Sequence, residues 1–406
     1  MTAVGQSVSG TSLPGRPDAG RPPSPRRLTG VRTPDVLALV GALAAALSTT
    51  GLLWTQIAPF SGLIGYIVMT WGLFVLFYAL LVSFDQNGPA VRDRVASVVV
   101  HSLGALVVLA LGYVIAYTFF RGWHALVHLN FYTQDQRTTG PLSPLTQGGV
   151  LHAIVGTLIE VGIAMGIAVP LGLLAAVYMN EVPGTLSRFV RIVVDAMTAL
   201  PDVLAGLFIY ATLILFLRRG FFGFAAGCAL GVTALPIVAR AAYVVLRLVP
   251  GGLTEASYAL GSGQWRTVWH VTLPTARSGL ATAVILGSAR AIGETAPVLL
   301  TAGVAQALNF NPFSGPMMSL PLLAYTLVQS PEKTEIARGF GAASVLLVLV
   351  LLLFMVARSI GGRGPGQLTA GQQRRRTLGS RRDLARFERY QGIREAAEET
   401  GYSEEE

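Results

Sequence analysis

The sequence predicts an all-α fold, a polytopic bundle of transmembrane helices, and three observations predict it. Hydrophobic residues make up 52% of the 406, and mean hydropathy is +0.58. Only 13% of residues are charged, against about 25% in an ordinary soluble chain. The apolar residues also fall in blocks, each long enough to cross roughly 30 Å of hydrocarbon. The length would allow two or three soluble domains, but this arrangement makes one membrane domain the simpler reading. The single cysteine, Cys228, lies in an apolar block and has no partner, which excludes a disulfide framework or a Cys-based metal site within the chain and leaves the redox compartment open.

The first 35 residues carry Pro14, Pro17, Pro22, Pro23, Pro25 and Pro34, five arginines and almost no large apolar side chains. Such a stretch cannot bury enough surface to fold, so a disordered cytoplasmic segment is expected. The small apolar run 38–47 could belong to a signal peptide. Its long polar lead and its continuation to Leu53 favour a signal-anchor helix. Eight apolar runs follow, at 36–57, 64–84, 95–120, 151–179, 192–217, 221–246, 278–302 and 339–357, each long enough for a spanning helix. Pro170, Pro201 and Pro236 fall inside them and are tolerable where neighbouring helices re-satisfy the backbone. Gly162 with Gly166, and Gly227 with Gly231, make small-residue faces suited to close helix packing.

With the amino terminus in the cytoplasm and eight crossings, 22 of the 30 Lys and Arg residues fall inside and six outside, in line with the positive-inside rule. Both termini are then cytoplasmic, as is the connection 255–274. The formal net charge of +9 is mostly a topology signal. The basic tail 372–394 could touch anionic lipid or nucleic acid, but a solvated, lipid-facing tail is the simpler expectation, and no nucleic-acid partner is expected.

Two arginines, Arg240 and Arg290, remain inside apolar runs, where a charge costs at least about 2.5 to 3.5 kcal/mol. Glu294 stands four residues after Arg290 on the same helical face, so an ion pair within the helix is natural. Asp195, Asp202 and Glu160 supply further acids. These groups either hold the bundle together or line a path for an anion.

The connection 255–274 is polar and broken by glycine. Glu255 to Leu260 can make one short helix, Gly261 and Gly263 a sharp turn, and Gln264 to Val271 a second short helix ended by Pro274. Trp265 and Trp269 would also suit an interfacial helix. The start Glu255-Ala256, the glycine at 261 and the finish Leu273-Pro274 resemble the "EAA" loop through which permease subunits of ATP-binding-cassette importers engage their ATPase.

Further stretches narrow the resemblance: His152-Ala153-Ile154-Val155-Gly156-Thr157, Leu235-Pro236-Ile237-Val238-Ala239-Arg240, and Leu248-Val249-Pro250 leading to Glu255-Ala256-Ser257-Tyr258-Ala259-Leu260-Gly261. The most specific is Ala289-Arg290-Ala291-Ile292-Gly293-Glu294-Thr295-Ala296-Pro297. Residues 100–360 resemble the PstA family, the A-type permease of the bacterial phosphate-specific importer. The resemblance implies a six-helix type I importer core preceded by two extra helices in 36–99 and followed by a charged cytoplasmic tail, 361–406. It implies a multi-pass protein of the bacterial cytoplasmic membrane that moves inorganic phosphate. Its implied partners are a homologous C-type permease, a pair of ATPase subunits and an extracytoplasmic phosphate-binding protein. ATP and magnesium would sit on the ATPase, with no cofactor in this chain. It places the substrate path at Arg240, Arg290, Glu294 and Thr295, and ATPase coupling at Glu255, Ala256, Gly261, Leu273 and Pro274.

The chemistry is suitable, because guanidinium offers forked donors to a phosphate that carries one to two negative charges near neutrality. A carboxylate competing for the arginine, as Glu294 could, would help release the ion. Ser257 stands where the loop pattern has a second alanine, Val271 where it has isoleucine, Asp202 where a small polar residue is expected and Glu160 where an apolar one is. Acids beside an anion route would repel the anion, so both should pair with arginine or face away.

Enzyme chemistry is disfavoured. The lone lysine, Lys333, follows Glu332, so no Walker A site can form. His124 and His128 are spaced i, i+4 but lack the acid and third ligand of a metal site, and an interfacial structural role is simpler. A permease for another oxyanion, or a non-transporting membrane scaffold or sensor, remains as an alternative.

Overall fold

A computed structural model describes residues 33–57, 62–84, 86–361 and 370–399. Among these residues the secondary structure is helical throughout, with no strand. The segment expected to be disordered, 1–35, lies outside the described residues except for its last three, which open the first helix. The chain divides into two compact units, residues 1–113 and 114–406.

In the first unit, α1 (Thr33–Leu52) ends in a widened π turn, Leu53–Ile57, and is followed by α2 (Leu63–Ser83) and the first part of α3 (Gly88–Leu126). Ala42, Tyr78 and Val82 form its buried centre. An ion pair joins Arg94 to Asp35, and the Trp71 indole donates to Ser102 Oγ at 2.9 Å.

In the second unit follow α4 (Asn130–Thr133), α5 (Leu151–Glu181), α6 (Thr185–Thr198) and α7 (Asp202–Ile209), the last continuing as a π turn, Tyr210–Phe216. Then come α8 (Gly223–Arg247), α9 (Gly251–Ala259) and α10 (Gln264–Thr267), which runs through a π turn, Val268–Thr272, into α11 (Leu273–Gly293). The unit ends with α12 (Ala296–Thr301), α13 (Leu320–Val328), α14 (Lys333–Gly361) and α15 (Ala370–Glu399).

Among the described residues six helices, α1, α2, α3, α5, α8 and α14, are by themselves long and apolar enough to cross a membrane. The fifth expected run, 192–217, is not one helix. Its amphipathic half α6 and apolar half α7 meet at an angle of 101°. Pro201 explains the break, since proline disfavours helical geometry in the residue before it and opens the new helix at its start. The seventh run, 278–302, is also divided: α11 ends at Gly293, and Glu294 adopts an extended conformation before α12 begins. Arg277, Ser278, Thr282, Ser288 and Arg290 make α11 more polar than the six.

The core of the second unit is the seam between α5 and α8. A Cβ at Gly227 would lie 2.6 Å from Ile163, and one at Gly172 3.0 Å from Val238, so these glycines set the helix separation. Gly162 and Gly166, expected to form a similar face, look onto open space instead. The stretch 152–157 packs against residues 317–320: a Cβ at Gly156 would meet the Met318 carbonyl oxygen at 2.1 Å, and Thr157 Oγ1 accepts from the Leu320 amide at 2.8 Å. Arg338, almost wholly buried at the start of α14, donates to the carbonyls of Ser143, Pro144 and Gln147 and so ties down the loop before α5.

Candidate functional site: a shared arginine and a two-helix loop

Arg290 lies in the last turn of α11, and its Nε forms an ion pair with Glu294 Oε1 at 2.6 Å, the i, i+4 pair expected from spacing. Its Nη2 donates to Asp202, the first residue of α7, 88 positions away in sequence. The guanidinium is thus held by two carboxylates from different elements. Its side chain is still 48% exposed, whereas that of Glu294 is 14% exposed. Arg290 and Asp202 open onto a cavity of about 220 Å³ whose wall includes Thr198, Thr233, Pro236 and Ile237. That is several times the roughly 30 Å³ share of one liquid water.

The local sequence explains this convergence. Pro201 starts α7 and places Asp202 at its amino-terminal end, where a carboxylate is favoured by the helix dipole. Gly206, one turn on, lets α7 touch α12: a Cβ there would come within 2.7 Å of Pro297 Cα. Glu294 caps the end of α11 in an extended conformation, which brings its side chain back beside Arg290. Thr295 occupies the gap before α12, half-buried, and its carbonyl accepts from the Leu299 amide at 2.9 Å.

Arg240 does not line this cavity. It lies one turn beyond Pro236 and Ile237 on α8 and pairs with Asp195 of α6 at 3.3 Å, with both side chains more than half exposed. Of the two further acids, Asp202 pairs with arginine as anticipated. Glu160 is fully buried in α5 with neither carboxylate oxygen hydrogen-bonded, so it is not part of the cavity. Asp202 as a direct partner of Arg290, and Thr198 and Thr233 in the cavity wall, are the contributions that sequence spacing did not assign.

The loop 255–274 is compact. Gly261, at φ +80°, makes the left-handed turn between α9 and α10, a conformation that suits glycine. Ser257 Oγ and Thr267 Oγ1 meet at 2.8 Å in the buried angle between the two short helices. Ser257, a departure from the loop pattern, therefore contributes half of a clamp. Gln264 Nε2 donates to the Glu181 carbonyl at 2.7 Å, tying the loop to the end of α5. Glu255 and Ala256 are exposed, and so are Leu260, Trp265 and Trp269.

Pro274, expected to end the second short helix, does not. The helical path runs through the π turn, and Pro274 sits in the first turn of α11, where its missing N–H costs little. Leu273 is the first residue of α11, half-buried among Ala276 and Leu280. His128, just past the end of α3, has its Nδ1 2.8 Å from the His124 carbonyl, a local contact at the helix end that suits a structural role.

Residues 168–362 match the family described as binding-protein-dependent transport system inner membrane component. The phosphate transport system permease protein PstA 1 of Mycobacterium tuberculosis is 41% identical over 241 residues, covering 59% of this chain and 78% of the relative. PstA of Mycobacterium leprae is 37% identical over 261 residues, 64% and 85% of the two chains. The probable phosphate transport system permease protein PstA of Methanocaldococcus jannaschii is 32% identical over 271 residues, 66% and 93%. With relatives of this identity covered over most of their length, the chain belongs to the PstA family of phosphate transport system permeases.

Proposed function

We propose that this chain is the transmembrane permease subunit of an ATP-driven importer that carries inorganic phosphate across the bacterial cytoplasmic membrane. Residues 100–360 form the permease core. A homologous C-type permease completes the path, an extracytoplasmic binding protein delivers phosphate, and a pair of separate ATPase subunits hydrolyses ATP, for which this chain has no site of its own. Both termini and the loop 255–274 face the cytoplasm, in keeping with the distribution of arginine.

The observation that carries the reading is Arg290, half-exposed in a small cavity and shared between Asp202 and Glu294. A guanidinium carries five N–H donors, so one held by single contacts to two carboxylates keeps donors free for a phosphate oxygen and can exchange either contact for another. The two acids compete with the incoming ion for the guanidinium, so phosphate held there is not trapped. Thr295, in the adjoining helix break, supplies a hydroxyl on the same route, and Arg240 a second positive charge one turn away along α8. Glu255, Ala256 and Gly261 form the surface and turn that dock on the ATPase, and Leu273 and Pro274 pass its motion into α11.

Radiolabelled phosphate uptake in cells lacking the chain tests this. Complementation with wild type should restore uptake and Arg290→Gln should not. Normal uptake without the chain would sink the proposal. Competition by sulfate, molybdate or a phosphonate at equal concentration would point to another oxyanion.

A further inference from the structure

We propose that the groove between the end of α3 and the start of α14 binds an anionic phospholipid at the membrane interface. The groove, of about 970 Å³, has walls that are mostly apolar, contributed by Phe119 and Phe120 of α3 and Ile336 of α14. Its floor is set by a close helix contact: a Cβ at Gly122 would lie 2.8 Å from the backbone of Phe340 and Gly341. Two cations, Arg121 and Lys333, stand at its edge, and no carboxylate lines it. Neither forms an ion pair among the described residues. The Arg121 guanidinium is positioned over the Phe340 ring, 5.6 Å from its centre.

This combination specifies an amphiphile. The groove lies where the apolar stretches of α3 and α14 end, the level of lipid headgroups, and Trp123 is 62% exposed there, as expected of an interfacial aromatic residue. Acyl chains would cover Phe119, Phe120 and Ile336, while a phosphodiester would sit between Arg121 and Lys333. A free anion would meet the same two cations but would lose water to an apolar wall that gives nothing in return. A zwitterionic headgroup would bring its own positive charge to the two already present. The Arg290 cavity is lined by different residues, so this site is separate from the proposed phosphate path.

Native mass spectrometry of the purified full chain with phosphatidylglycerol or phosphatidylcholine of matched acyl chains tests the assignment. Wild type should retain phosphatidylglycerol preferentially. Arg121→Gln and Lys333→Gln should each weaken retention about five-fold and the double variant about thirty-fold, as expected for about 1 kcal/mol per cation at a membrane surface. Arg219→Gln, an exposed cation outside the groove, should leave it unchanged. Equal retention of the two lipids by wild type would overturn the proposal without recourse to any variant. So would unchanged retention by the double variant, displacement of phosphatidylglycerol by inorganic phosphate, or loss of the lipid when the assembled importer is measured, which would make the groove a subunit contact.

Discussion

Replacing Asp202 by asparagine keeps its shape and removes its charge, and so tests how Arg290 is poised. A hydrogen bond to a charged group contributes about 1.5–3 kcal/mol to stability. Here the arginine side chain is 48% exposed and keeps Glu294 as a second partner, so screening reduces the value to about 1 kcal/mol, near the upper end for exposed pairs. If Asp202 competes with phosphate, its loss leaves Arg290 freer by that amount, which is about a five-fold change in an equilibrium constant. We expect Asp202→Asn to lower the KM for phosphate uptake about five-fold and to lower Vmax in the same proportion, because a better-held ion leaves more slowly. Initial rates of radiolabelled uptake at varied phosphate concentration, normalised to the amount of chain in the membrane, give both quantities. A raised KM, or abolition of uptake as expected for Arg290→Gln, would mean that Asp202 positions the arginine, and the competition argument would fail.

Glu294→Gln should shift uptake in the same direction as Asp202→Asn, and unchanged uptake would remove Glu294 from the release step. Gly261→Val forces a branched side chain into φ +80°, which costs about 1–3 kcal/mol; uptake and association with the ATPase should fall together, as a pull-down on the ATPase subunit would record. Arg338→Gln leaves three loop carbonyls without their charged donor; it should cost about 3 kcal/mol and lower the unfolding temperature in detergent, while any folded fraction keeps the wild-type KM. Asp135, in the loop before α5, is partly desolvated, which raises its pKa, but the amides of Leu308 and Arg137 donate to its carboxylate and bring it below the usual value. A depressed carboxylate contributes stability above its unfolded pKa of about 3.9 and loses it as pH falls through the folded value. Thermal unfolding of wild type should therefore steepen in its pH dependence below about pH 4, and Asp135→Asn should flatten that limb.

How much of the site is legible in the sequence depends on the range over which each interaction acts. Arg290 and Glu294 are one helical turn apart, so periodicity alone pairs them. Asp202 is 88 positions from Arg290, and only Pro201 before it marks a helix end there. Hydropathy averaged over 192–217 misses that break, because Asp195 and Asp202 are the only charged residues in that window, while Arg188 and Arg191, which make α6 amphipathic, fall just before it. Gly162 and Gly166 show the opposite limit. Small-residue spacing marks a face able to approach another helix, and nothing in the spacing says that Gly227 and Gly231 would be the pair used within this chain. Pro274 is ambiguous because proline is both a terminator and a favoured first-turn residue. The local cue that separates the two roles is the helix-compatible run immediately after it, Thr275-Ala276-Arg277, which continues α11.

The continuity of the helix at Pro274 bears directly on the proposed mechanism. α11 begins at the end of the proposed coupling loop and carries Arg290 in its last turn, and its 21 residues span about 30 Å at 1.5 Å per residue. The loop and the arginine are therefore opposite ends of one rigid element. That element is tightly packed against α8, since Cβ atoms at Gly279 and Gly287 would meet Val245 and Val238 at 2.4 Å. Asp202, in contrast, belongs to α7, which packs on α12 beyond the break at Glu294. A displacement of the loop along or about the α11 axis would carry Arg290 with it and would change the distance from Arg290 to Asp202 to the extent that α7 and α12, which also pack on α8, do not follow, while Glu294, at the hinge, could follow either side. Had Pro274 ended a separate helix, the same displacement could have been absorbed in the joint. On the proposed reading, ATP hydrolysis on the partner subunits alters how many carboxylates hold Arg290, and so how strongly the site competes for phosphate.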